Sequence, residues 1–218
     1  MKFVKVLSLS ALAGLALVAA PAEAWWTSPP FAFMRIETPR WMSWYGGLDF
    51  FGSTAGAPHP NVLIHVADVV HTPVGSSAAG MITWQPDPEK PPELFGFIAA
   101  DDKVVGPWLG PQIFAGTPFE LARTSKARIT ITRGDGSVSA RLEIDKHLFE
   151  LTFAELGPSL YINRGPTPGT PFYQNGIERS VGKVTLTVDG KDVPVTAAPL
   201  SPTGGPGAVY SEFGSYAR

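Results

Sequence analysis

The sequence predicts an all-β protein whose antiparallel strands close into a barrel, with a β-sandwich as the alternative architecture. Twenty-two prolines and 23 glycines cut the 218 residues into short runs, and turns at such intervals suit strands better than long helices. Within those runs apolar and polar residues alternate with a period of two, the pattern of a strand with one face in a core and the other in water. Beyond residue 24, no stretch longer than about ten residues keeps a helical period without a Pro or Gly inside it.

The chain opens MKFVKVLSLSALAGLALVAAPAEA. Lys2 and Lys5 precede an uncharged apolar run from Val6 to Ala20, and Pro21 leads into Ala22-Glu23-Ala24. This is the make-up of a secretory signal cleaved after Ala24. An apolar run of about 15 residues is too short for the roughly 20 of a membrane span. The expected product, residues 25–218, is one soluble barrel domain, secreted or periplasmic, with no membrane span. There is no cysteine, so an exported fold of this kind relies on its core and not on disulfides. The net charge of −2 for the whole chain offers no basic cluster for nucleic acid.

After the signal comes a dense aromatic stretch, with Trp25, Trp26, Phe31, Phe33, Trp41, Trp44, Tyr45, Phe50 and Phe51 in 27 residues. Such a stretch either plugs one end of a barrel or lines a pocket for a flat or long apolar ligand.

HPNVLIHVADVVH, residues 59–71, holds three of the four histidines at a spacing of six. On a strand each step of six covers about 20 Å; on a helix it turns the chain to about 120° from the last position. Metal ligation at about 2 Å does not follow from either geometry. The run reads as an uninterrupted strand with two apolar faces, both of them covered. One polar group then faces inward whichever way the strand is turned: Asp68, or else His65 together with His71.

Farther on, KARITITRGDGSVSARLEID (126–145) alternates on both sides of a tight turn and predicts a hairpin. HLFELTFA continues the meander. GKVTLTVDGKDVPVT (182–196) predicts a second hairpin, with Asp189-Gly190 as a two-residue turn of the primed type. The proline-rich stretches 85–93, 164–171 and 198–207 read as loops. Arg133-Gly134-Asp135 is both an adhesion tripeptide and ordinary turn chemistry. No P-loop, dinucleotide fingerprint, zinc-protease or EF-hand motif occurs, so no cofactor is expected.

FYQNGIERSVGKVTLTVDGKDVPVT (172–196) resembles a hairpin of the carotenoid 1,2-hydratase (hydroxyneurosporene synthase) family and its lipocalin-like relatives. WMSWYGGLDFFGSTAG (41–56), followed by NVLIHVADVV, is similar to two early strands of that family. The resemblance implies a calycin-type barrel holding an isoprenoid- or polyketide-like molecule. Catalysis would be hydration, isomerisation or cyclisation. It implies a cavity lined by Trp44, Tyr45, Asp49, His65, Asp68, Tyr173 and Asn175, with His65 or Asp68 as proton donor. The family's aromatic-x-Asp-x-x-Trp-Gly motif after the hairpin has no counterpart in AAPLSPTGGPGAVYSEFG. The rival functions are a non-catalytic extracytoplasmic interaction protein with a filled barrel and, third, a histidine-dependent metal binder.

Overall fold

A computed structural model describes residues 40–103, 105–166 and 170–218. The stretch expected to be a secretory signal, and Trp25, Trp26, Phe31 and Phe33, lie outside the described residues. Eleven strands join one sheet: β1 (Trp41–Thr54), β2 (Val62–Thr72), β3 (Gly75–Trp84), β4 (Leu94–Ala99), β5 (Thr124–Gly134), β6 (Ser137–Ile144), β7 (His147–Arg164), β8 (Tyr173–Val188), β9 (Lys191–Val193), β10 (Val195–Ala197) and β11 (Ala208–Ala217). The protein is therefore all-β. Among the described residues one short helix, α1 (Gly106–Trp108), runs into a π-helical turn, Leu109–Ile113.

Two meanders, β1 to β4 and β5 to β8, account for most of the sheet. β11 lies between β1 and β8, β1 also pairs β2, and the pairings return on themselves as a ring. The β5–β6 hairpin has the expected alternation, with Val138, Ala140, Leu142 and Ile144 buried. Asp189 and Gly190 both take positive φ, 53° and 75°, as a primed turn between β8 and β9 requires. One seam departs from the antiparallel expectation: β4 and β5 run parallel over Phe97–Ala99 and Thr124–Lys126. The connection between them crosses from one end of the sheet to the other, which a hairpin cannot do.

The apolar residues form two clusters on opposite faces of β2, β3 and β4. On β2, Val62, Ile64 and Val66 join the larger cluster with Phe50, Trp84, Phe149, Leu151 and Phe153. Leu63 and Ala67 join the smaller one, with Met81, Phe97, Leu109, Ile113 and Phe114. Both faces are covered, as the run of apolar residues predicts, but the second cover is the β4–β5 connection. Among the described residues no helix is long and apolar enough to cross a membrane.

Candidate functional site

The second cluster borders a partly open cavity of about 40 Å³, walled by Met42, Trp44, Ala67, Val70, Met81, Phe97, Leu109, Phe114 and Tyr216. Into this apolar wall the sheet register introduces two titratable side chains. Asp49 and His65 are direct cross-strand partners on β1 and β2, the arrangement that brings side chains closest on one face. His65 Nδ1 lies 3.8 Å from Asp49 Oδ1, and the two side chains are only 14% and 16% exposed. His65 Nε2 is buried without a hydrogen-bond partner.

Burial dominates the electrostatics of both groups. It pushes the Asp49 carboxyl up to about 8, with the nearby Glu178 carboxylate adding to the rise and Arg164 opposing it. It draws His65 down to about 4. Near neutrality the pair is a carboxylic acid beside a neutral imidazole, because neither charge is well solvated there. Behind them, Arg164 grips Glu178 through both terminal nitrogens, at 3.0 and 2.8 Å. Gln174 donates to the same carboxylate at 3.1 Å. Tyr216 is raised well above the usual phenol range by burial and by the Asp49 and Glu178 charges.

Trp44 fits flat against this wall because its partner across the β1–β11 ladder is Gly214. A β-carbon there would sit 2.2 Å from the indole. The indole N–H donates to Ser211 Oγ at 3.0 Å, and the ring lies 4.7 Å from that of Tyr216.

Three irregularities line up across neighbouring strands and decide which residues converge. Gly46 on β1 has φ 63°, β2 is bulged between Ala67 and Val70, and β11 is bulged between Ser211 and Phe213. A bulge turns the strand so that the alternation changes sides. Even-numbered Trp44 and odd-numbered Asp49 therefore line one cavity, while His65 and His71 part company. His71 bonds Ser76 Oγ at 2.6 Å and meets the edge of the half-exposed Tyr45 ring.

Asp68, in the β2 bulge, points away and pairs with Arg133. Arg133 also donates to Tyr210 at 3.1 Å, so the adhesion tripeptide has its guanidinium engaged. Tyr173 is 53% exposed. Asn175 is buried and donates to the Tyr161 hydroxyl at 2.8 Å, away from the cavity wall. Of the residues named from sequence, Trp44, Asp49 and His65 meet at the cavity; Tyr45, Asp68, His71, Tyr173 and Asn175 do not. The sequence does not single out Tyr216, Arg164, Gln174 or Glu178. A usable signal was the shared parity of Gln174 and Glu178, which puts both on one face of β8. Among the described residues no three His, Asp or Glu side chains gather into a group that could hold a metal ion.

The two shifts have opposite effects on stability. Asp49, raised, contributes stability that is fully present below about pH 3.8 and is lost as pH rises toward 8. His65, lowered, contributes stability present above 6.5 and lost as pH falls toward 4. Between roughly pH 4 and 6.5 the slopes, about 1.4 kcal/mol per unit each, cancel. Above 6.5 only Asp49 acts, so urea midpoints should fall toward pH 8 by the equivalent of about 2 kcal/mol. Asp49→Asn should flatten that fall; an unchanged slope would place the titrating group elsewhere.

Comparison with protein-family models, with curated proteins and with solved structures finds no match for the chain. The function is therefore read from the cavity and the groups that line it.

Proposed function

We propose that the chain is an exported, lipocalin-like β-barrel protein that holds a small apolar ligand in the Trp44–Asp49–His65 cavity. There Asp49 gives a proton and His65 takes one, in hydration, isomerisation or cyclisation of the ligand. The observation that carries this reading is the Asp49–His65 pair, placed 3.8 Å apart with His65 Nε2 unpartnered in an apolar wall. Polar groups left in this state are costly unless a ligand or a reaction uses them. The residues that set the pair, its register partner and its burial are those of β1 and β2, the lesser of the two stretches that resemble carotenoid hydratases, the other being 172–196.

The cavity volume bounds the guest. About 40 Å³ is far below the roughly 300 Å³ at which a site engulfs a drug-sized molecule. A few heavy atoms fit, so an isoprenoid- or polyketide-like molecule would enter by one end. Met42 and Met81, the flexible thioethers of the wall, are the side chains best suited to yield to it.

A filled interior is the observation behind the rival reading, an interaction protein without chemistry. Phe50, Phe149 and Phe153 are wholly buried within the larger cluster. Native mass spectrometry on protein purified from its source organism separates the two. The expected result is a bound small molecule that is lost in His65→Ala and kept in Asp68→Ala. A ligand-free spectrum for the wild type, or loss in both variants alike, would favour the interaction protein.

A further inference from the structure

The polar groups on the cavity wall are few, and they differ in kind. Asp49, His65 and Tyr216 are the proton-bearing or proton-accepting residues that line it. The Trp44 N–H is already given to Ser211, whereas no hydrogen bond ties the Tyr216 hydroxyl to another described residue. The remaining wall is apolar, apart from the backbone at Gly47 and Gly80. With a free volume near 40 Å³, the part of a guest that enters lies close to these groups.

Protonation sorts the three groups into two donors and one acceptor. Burial keeps the Asp49 carboxyl and the Tyr216 phenol protonated, and keeps the imidazole neutral. Two O–H donors suit a single oxygen with two lone pairs, and the nitrogen base suits an acidic hydrogen close to it. A carboxylate guest is disfavoured. The nearest cation, Arg164, is held on both terminal nitrogens by Glu178, whose charge already opposes ionisation of Asp49. A simple alcohol offers an acceptor but no acidic C–H. A carbonyl flanked by C–H bonds offers both, and an apolar one suits the wall.

We infer that the site takes an apolar ketone or enone, with Tyr216 and Asp49 receiving its carbonyl oxygen and His65 moving a proton between the carbons beside it. This rests on the proposed reading of the cavity as a ligand site. His65 Nε2 removes a proton from the carbon next to the carbonyl. The C–H electron pair becomes the new C=C bond, and the carbonyl π pair moves onto oxygen, where the two O–H groups stabilise it. The imidazolium returns the same proton to the far end of the conjugated system, and the carbonyl re-forms. One double bond has shifted, no proton is lost, and no oxidant or reductant is needed. Tyr216 thereby becomes a residue in contact with substrate.

The test uses acetone, with isobutene as its hydrocarbon match. NMR in D2O follows exchange of the α-hydrogens, and titration calorimetry measures binding of both probes. Wild type should speed exchange about 100-fold over buffer, with a bell-shaped profile whose limbs lie near pH 4 and pH 8. His65→Ala should abolish the acceleration while ketone binding persists. Tyr216→Phe, which keeps the ring, should slow exchange about 100-fold and erase the preference for ketone over hydrocarbon. Circular dichroism and urea midpoints establish that each variant is folded. Equal binding of both probes with no exchange overturns this inference and leaves the apolar-ligand reading standing. Binding of neither probe overturns both.

Discussion

Arg164→Met should lower the stability of the protein by about 3–5 kcal/mol, because it strands a charge in the interior. Glu178 is 6% exposed and Arg164 24%, and both terminal nitrogens of the guanidinium are committed to the carboxylate. Methionine fills much of the same volume but neutralises nothing, and among the described residues Gln174 then remains as the carboxylate's one side-chain donor. The measurement is the urea midpoint at pH 7. Replacing both partners, Arg164→Met with Glu178→Leu, should recover most of the loss, since an apolar pair of similar size often matches a buried ion pair. A double variant no more stable than the single one would mean that the guanidinium acts through packing instead.

Gly80→Ala should be nearly as damaging, at about 3 kcal/mol. Gly80 pairs with Val66 on one side and Ile98 on the other, in the middle of the three-strand wall behind the cavity. A β-carbon there would lie 1.8 Å from the His65 carbonyl oxygen. The atoms it would meet are all backbone of β2, at His65 and Val66, with no flexible side chain to move, so β2 and β3 must separate at the level of His65. Gly165→Ala is the matched control, with no heavy atom within 4 Å of the added carbon; it should leave the midpoint within about 0.5 kcal/mol of wild type. If both variants unfolded at the wild-type midpoint, β2 and β3 would be farther apart at Gly80 than described.

Much of the architecture was legible because period-two alternation reports directly on a sheet with one wet face. The β5–β6 and β8–β9 hairpins follow from Ile129 to Ile144 and from Asp189-Gly190 without help from the rest of the chain. The site was legible in part. The apolar character of both faces of β2 was plain, but an uninterrupted strand would have kept His65 and His71 on one face. The bulge at Asp68 and Val69 sends them apart, and no residue there announces it. Asp49 and His65 meet through register, which depends on how β1 and β2 pair along their whole length. Arg164 fell within a proline-rich stretch that reads as loop, whereas β7 continues to Arg164. Tyr216 follows a bulge that reverses the alternation of AVYSEFGSYA, so its side could not be read from its neighbours.

The parallel seam between β4 and β5, the one such pairing among the described residues, constrains how the molecule assembles. Each meander can zip from its own tight turns, with partners close in sequence. The seam holds only three register pairs, and β1 meets β11 across more than 150 intervening residues. Contacts so distant along the chain form slowly. The expected order is that the two halves gain their structure first and the joining of β11 to β1 comes last, which a β11 variant that slows refolding no more than a β6 variant would contradict. The cavity, whose wall takes Trp44 from β1 and Tyr216 from β11, comes into being only at that final closure.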